Sequence, residues 1–311
     1  MTAPPLPAAV TIGTRASSLA GAQTARVAEL LTAAHPGLEC RTTVIETAGD
    51  RTQASGEPLP EIGGKGLFTA ELERALETGA IDLAVHSLKD LPTEDAPGLE
   101  IAAVCEREDV RDCVVSREDV PLAELPPGAL LGTSSLRRGA QVRRLWPQLD
   151  VRSIRGNVDT RIRKVREGEF DAILLAAAGV RRLGLDDEVS EWLPATTLLP
   201  APGQGALAVQ TRAADPVSAL VAALDDPEAR ATTAAERAFL RELGAGCAAP
   251  VGAYARAHGL PVVRLDGLVA SPDGSVLVQA SGEGEPEQVG VESAHRALES
   301  GADRILAAIR G

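Results

Sequence analysis

Lysine and asparagine are nearly missing from this 311-residue chain: Lys65, Lys89 and Lys164 stand beside 28 Arg, and Asn157 is the one Asn. A GC-rich coding bias explains the pattern most simply. Under such a bias a surviving Lys or Asn points to chemistry that Arg or Asp cannot do, with chance as the competing explanation. Cysteine is sparse as well. Cys40, Cys105, Cys113 and Cys247 include no CxxC, and no two of the four His sit at ligand spacing. No metal site or disulfide framework is expected, and the thiols fit a reducing compartment. No apolar run approaches ~18 residues and the start, MTAPPLPAAVTIG, has no basic region, so neither a membrane span nor secretion is expected. The expected location is cytoplasmic. GxSxG, HExxH and GxGxxG are missing too, and EIGGKGLF departs from a P-loop because Leu59 replaces its first Gly and Gly66 follows the Lys.

What is present is an ordinary globular composition, 44% hydrophobic and 24% charged, with 30 Gly and 21 Pro. At ~150 residues per domain the length suggests two domains or three smaller ones. The net charge is −13, yet Leu131–Arg166 holds ten basic residues (Arg137, Arg138, Arg143, Arg144, Arg152, Arg155, Arg161, Arg163, Lys164, Arg166) against Asp150 and Asp159. A basic island in an acidic chain focuses potential locally and suits a small anionic ligand; nucleic acid calls for an extended basic face. Within the island, Arg143, Arg144, Arg163 and Arg166 read as a solvated helical face paired with glutamates.

The chain carries a partial internal repeat. Residues 10–30 (VTIGTRASSLAGAQTARVAEL) and 129–149 (ALLGTSSLRRGAQVRRLWPQL) each read as an apolar strand, Gly-Thr, a Ser-rich turn and a helix containing Gly-Ala-Gln. Similar strands follow at 79–87 and 168–176. Apolar runs alternating with helices predict parallel, doubly covered sheets, and the repetition predicts two similar α/β domains around a cleft. LLPAPGQGALAVQTR (198–212) could cross back to the first of them. From about Pro227 a helix leads to the loop LGAGCAAPVG, alternating strands around Pro272-Asp273-Gly274, and a final helix SAHRALESGADRILAAI, a small α+β domain.

In each half, a strand running through Gly-Thr into a helix start makes an anion site from free N–H groups and the helix dipole. Arg15 lies in the first such turn; Arg137 and Arg138 follow the second, and Arg155 and Arg161 flank Gly156-Asn157. Converging guanidiniums suit a polycarboxylate, with phosphate as the default alternative. DLAVHSLKDLP places Lys89 and Asp90 just past a buried strand, where open α/β sheets bind ligands. A surface ion pair or a helix cap is the bland alternative. An Asp among cations stays ionised and can stabilise a developing positive charge. His86 reads as structural. Cys247, in Gly244-Ala245-Gly246-Cys247, is surrounded by small residues that leave room for a bulky group, whereas Cys40, Cys105 and Cys113 read as incidental thiols.

The segments IGTRASSLA, GGKGLFTAELE, VHSLKDLP, CEREDVRD, GTSSLRRGAQ, IRGNVDTR, AAGVRRLGL, PGQGA and ERAFLRELGAGCAAPVGAYA, from about residue 11 to 255, together resemble the porphobilinogen deaminase (hydroxymethylbilane synthase) family. The resemblance implies an enzyme, a transferase of tetrapyrrole biosynthesis. It condenses four porphobilinogen molecules head to tail onto a covalent dipyrromethane primer, releases ammonia, and frees hydroxymethylbilane by hydrolysis. It implies a thioether link at Cys247 and Asp90 as the catalytic carboxylate. Lys89, Thr133, Ser135, Arg137, Arg138 and Arg155 would hold the cofactor. Arg15, Ser17, Lys65, Phe68, Arg155, Arg161, Arg182 and Gln204 would hold substrate. The implied architecture is two domains like those of periplasmic binding proteins, 8–105 with 203–222 and 108–200, plus a cofactor-bearing α+β domain at 227–311. The expected partner is porphobilinogen alone, bound by a monomer, without nucleic acid or membrane. Ala245, Ala248 and Glu61 depart from what relatives often carry at those loop positions. A cytoplasmic anion-binding protein and a catalytically dead relative are the rival readings; the first predicts no covalent adduct, the second the loss of Cys247 or Asp90.

Overall fold

A computed structural model describes residues 7–49, 69–246 and 248–310. The described elements begin with β1 (Ala9–Thr14), α1 (Ser18–Ala34), β2 (Glu39–Val44), α2 (Ala70–Glu77), β3 (Leu83–Ser87) and β4 (Leu99–Val104). They continue with β5 (Asp112–Ser116), β6 (Leu130–Gly132), α3 (Leu136–Leu145), β7 (Asp150–Arg152), α4 (Val158–Arg166), β8 (Ala172–Ala176), α5 (Ala177–Arg182) and β9 (Glu191–Leu193). The last are β10 (Leu207–Arg212), α6 (Pro216–Val221), α7 (Pro227–Glu242), β11 (Val251–Ala257), β12 (Val263–Ala270), β13 (Leu277–Gly284), α8 (Pro286–Ala297) and α9 (Asp303–Arg310). The chain divides into two compact units, Met1–Arg107 with Ala206–Arg230, and Glu108–Gly205 with Ala231–Gly311. Among the described residues no helix is long and apolar enough to cross a membrane.

The first unit holds a five-stranded sheet in the order β2-β1-β3-β10-β4. One face packs Val10, Ile12, Leu83 and Val209 against Val27 and Leu31 of α1; the other packs Ala84 and Leu99 with Leu72 and Leu76 of α2. The second unit repeats that order as β7-β6-β8-β5-β9. The repeat legible in the sequence carries through to register: Ile12 pairs with Leu83 in one sheet and Leu131 with Ala172 in the other. The Ser-rich turns also match. Ser17 Oγ accepts from the Ala20 N–H at 3.2 Å and Ser135 Oγ from the Arg138 N–H at 3.4 Å, each capping the following helix. Gly132 closes β6 where a Cβ would lie 3.0 Å from both Ile173 and Phe170, so the turn into α3 sits tightly against the sheet.

The expectation of parallel sheets needs correction. β1, β2 and β3 are mutually parallel, as are β6, β7 and β8, but β10 runs antiparallel to β3 and β4, and β5 antiparallel to β8 and β9. Both are near-continuous buried runs, and a strand covered on both faces reads alike in either direction. Neither strand enters its sheet through a helical crossover, and nothing in its own residues sets its direction.

The second unit also contains the antiparallel sheet β11-β12-β13, with the hairpin at Pro272-Asp273-Gly274 as expected. Phe239 of α7, Val289 of α8 and Leu306 of α9 cover it. The single final helix expected there is in fact broken. Gly301 takes φ +102°, outside helical space, and separates α8 from α9. Ala140 of α3 packs with Leu268 and Ala270 of β12, joining the two sheets of this unit.

Candidate active site

In the first unit β1 and β3 are parallel neighbours, so the residues that follow them share the carboxyl edge of the sheet, where ligands bind open α/β sheets. Arg15 and Ser17 follow β1. After β3 comes a 3-10 turn, Leu88–Asp90, anchored by the Leu88 N–H donating to Ala206 O at 3.0 Å. Leu88 and Leu91 are buried on either side; Lys89 between them is half-buried and Asp90 is exposed. Burying the two leucines turns the Lys-Asp pair outward. His86 is structural, as its position suggested: it is buried, and its Nε2 lies 3.1 Å from Gln210 Oε1. Burial pushes its pKa down to about 4, a Gln210 hydrogen bond opposes that, and the Arg15 charge adds to it.

In the second unit the equivalent edge collects part of the basic island together with Arg182. Thr133 and Ser135 follow β6, Arg155 follows β7, and Arg182 closes α5 after β8. Thr133 N–H donates to Arg152 O at 2.8 Å, and Ser134 Oγ lies 2.9 Å from Ser153 Oγ, tying the two loops together. Arg161 Nε donates to Gly156 O at 2.7 Å and Arg182 Nη2 to Gly205 O at 2.6 Å. Burial, with the positive charges of Arg138 and Arg155, lowers the Arg161 pKa to about 10. Arg138 and Arg155 thus add positive potential at Arg161, which favours an anion there.

Arg137 and Arg138 are 3% and 7% exposed and converge on Asp112, which is 0% exposed. Arg137 Nη1 donates to Asp112 Oδ2 at 2.7 Å, Arg138 Nη2 and Nε to Oδ1 at 2.7 and 3.1 Å, and Gln204 Nε2 to Oδ1 at 2.9 Å. Burial alone would raise the Asp112 carboxyl, but the two arginine charges and their hydrogen bonds outweigh it and hold it well below the usual range. Burial lowers the Arg137 guanidinium. Arg137 Nε is buried with no hydrogen-bond partner among the described residues.

The rest of the island is structural. Arg163 pairs with Glu167 at 3.1 Å, and Arg166 pairs with Glu188, both as expected. Arg143 and Arg144 pair with no glutamate among the described residues: they donate to Pro272 O at 3.0 Å and Ser275 O at 3.5 Å on the β12–β13 turn, because α3 lies against that hairpin. Cys105 and Cys113 are buried, and burial pushes the Cys113 thiol up to about 12, leaving it protonated. Cys247, Lys65 and Phe68 lie outside the described residues.

Two buried acids were not singled out in the sequence. Asp112 lies within CEREDVRD, and its signal was an acid opening an otherwise apolar strand. Glu236 accepts from the N–H groups of Gly203 at 2.7 Å and Ala255 at 2.8 Å, joining the crossing segment to β11. Its signal was an acid one turn from Phe239, on the buried face of α7.

A family model described as "Porphobilinogen deaminase, dipyromethane cofactor binding domain" matches residues 10–219, and one described as "Porphobilinogen deaminase, C-terminal domain" matches 231–299. The porphobilinogen deaminase of Roseiflexus castenholzii is 47% identical over 301 residues, 96% of this chain and 98% of its own length. That of Chromobacterium violaceum is 48% identical over 306 residues, 96% of this chain and 97% of its own. Among solved structures, the methionine binding protein MetQ aligns with 70% of this chain and 90% of its own, at 11% identity and a TM-score of 0.44. Matched by both domain models and close to half identical to such relatives along nearly its whole length, the chain belongs to the porphobilinogen deaminase family, enzymes with a dipyrromethane cofactor-binding domain.

Proposed function

We propose that this chain condenses four porphobilinogen molecules head to tail on a dipyrromethane carried by Cys247, with Asp90 as the catalytic carboxylate and the arginine set as carboxylate receptors. The observation that carries this reading is the cationic carboxyl edge of the second sheet, where Arg137 and Arg138 follow β6, Arg155 follows β7 and Arg182 follows β8, with Arg161 fixed on Gly156 O. Porphobilinogen and dipyrromethane carry acetate and propionate on every pyrrole, and forked guanidinium donors match carboxylates in geometry and charge. The residues present therefore fit the cofactor: Arg137, Arg138 and Arg155 would hold its carboxylates, with the Thr133 and Ser135 hydroxyls at the same sheet edge, and Lys89 of the first unit would serve the cofactor as well. When bound, it supplies the pyrrole α-carbon that receives the first substrate.

For each incoming porphobilinogen, the aminomethyl C–N bond breaks and ammonia leaves with the electron pair. The remaining azafulvenium is electron-poor, with positive charge shared by its pyrrole nitrogen. Asp90, exposed at the end of β3, meets that N–H with a fixed negative charge, which is worth most where charge develops. The new C–C bond forms at the free α-carbon, whose proton is then lost to restore the pyrrole. Arg15, Ser17, Arg155, Arg161 and Arg182, with Gln204 in the crossing segment, orient the substrate through its carboxylates, and Lys65 and Phe68 join them as further substrate-binding residues. Residues 8–105 with 203–222, 108–200 and 227–311 act as three domains in a cytoplasmic monomer whose partner is this small molecule, without nucleic acid or membrane.

Intact mass is the test. The wild-type chain is expected to carry the mass of two linked pyrroles, absent in Cys247→Ala, while Asp90→Asn keeps its fold and loses turnover by at least a hundredfold. Near-normal turnover in Asp90→Asn, or a wild-type chain that stays unmodified after incubation with porphobilinogen, would refute the reading.

A further inference from the structure

Asp112 joins three separate stretches of the second unit, its own strand and two others. It is the first residue of β5; Arg137 and Arg138 reach it from α3, and Gln204 from the crossing segment. The same arginines are fixed a second time by backbone carbonyls, Arg137 Nη1 on Leu199 O at 2.7 Å and Arg138 Nη1 on Leu174 O at 3.2 Å. Gln141, one turn along α3, exchanges hydrogen bonds with Leu199, donating to its oxygen at 3.1 Å and accepting from its N–H at 2.8 Å. The carboxylate thus sets the angle at which two buried guanidiniums leave the helix, and ties that angle to the crossing segment. It also pairs with Arg138, one of the two positive charges that act on Arg161.

We propose that Asp112 is a positioning residue for the cofactor site: through Arg137 and Arg138 it fixes the geometry with which this chain grips the carboxylates of its pyrrole primer. The inference rests on the family reading of the previous subsection. Asp112 itself is fully buried and touches no reacting atom, so its effect is on how firmly carboxylates are held rather than on the rate of bond making. An Asn here keeps the shape but removes the charge and turns an NH2 group toward a guanidinium, donor against donor. A Glu keeps the charge but displaces it by one methylene.

The experiment uses the full chain, produced without porphobilinogen and then mixed with it, for wild type, Asp112→Asn and Asp112→Glu. Primer uptake is followed by intact mass at several substrate concentrations, and thermal melting is recorded on the same unloaded samples. Both variants are expected to melt cooperatively. The substrate concentration at half-maximal uptake should rise about three- to tenfold in Asp112→Glu and more than tenfold in Asp112→Asn, with the limiting rate held within about twofold. A merely structural role would lower the melting temperature without that ordered change in half-saturation. A folded variant with wild-type half-saturation overturns the proposal, as does a fall in limiting rate at unchanged half-saturation. If Asp112→Asn does not fold, Asp112→Glu decides by the same criterion. A wild-type chain that takes up no pyrrole units fails at the family reading instead, which separates the two.

Discussion

At the scale of single residues, the imidazole of His86 ties acid stability to the strand that ends in the Lys-Asp pair. Folded, its pKa is about 4, because burial outweighs the Gln210 hydrogen bond and the Arg15 charge disfavours protonation further. Unfolded, it takes up a proton near the ordinary value of about 6.5. Between those limits protons bind the unfolded chain more than the folded one. The stabilisation is therefore complete above pH 6.5 and is lost as the pH falls toward 4, on the order of 3 kcal/mol in all. His86→Gln should flatten the stability profile across that window. Urea midpoints at pH 7.5, 5.5 and 4.5 check this: the gap between wild type and variant should narrow steadily with acid, and a constant gap would contradict it. Asp112 works in the same direction at lower pH, since a carboxyl held below its usual range is a stabilisation present above pH 3.8 and lost below it. The sequence showed that His86 follows a buried strand and that Arg137 and Arg138 are adjacent. It could not show Asp112 beneath them, because that contact joins residues 25 positions apart through the order of strands in a sheet.

Among elements, α8 approaches α7 closely at Gly290. A Cβ on Gly290 would lie 2.5 Å from the Ala235 carbonyl oxygen and 2.6 Å from the Ala238 Cβ, neither of which can rotate away. Gly290→Ala should destabilise the chain by about 1–3 kcal/mol, the usual result of overpacking. Gly21 gives the opposite case. It is exposed in α1, and a Cβ there would meet nothing within 4 Å, so Gly21→Ala should stabilise by about 0.5–1 kcal/mol through helix propensity. Thermal melts of the two variants should therefore shift in opposite directions. Element identity was largely legible: strand–turn–helix units of the repeat, capped by Ser17 and Ser135, were readable because cap, turn and apolar period are local signals. The break at Gly301 was not, because a glycine inside an apolar helical pattern can be absorbed or can turn, and packing of α9 beside α8 decides which.

On the scale of the whole molecule, the first unit is discontinuous in sequence. β4 reaches its sheet through β10, which arrives after residues 108–205 have been made. A fragment ending at Gly205 should therefore leave β4 without its hydrogen-bonded neighbour; hydrogen exchange should find the β4 amides unprotected, whereas the intact chain protects them. Protected β4 amides in that fragment would show that the sheet closes without β10. Read by itself, the sequence determined the α/β class, the repeat, the basic island and the motifs from Arg15 to Cys247, because composition, caps and hydrophobic period act over one or two turns of chain. Only the tertiary structure decided that β5 and β10 run antiparallel, that Arg143 and Arg144 bind backbone while Arg163 and Arg166 bind glutamate, and that Arg161 is fixed on Gly156 O. It also decided that a buried aspartate holds the arginine pair. Strand direction and charge partnership depend on which distant segments meet, and a local pattern of apolar and charged residues is the same whichever partner arrives.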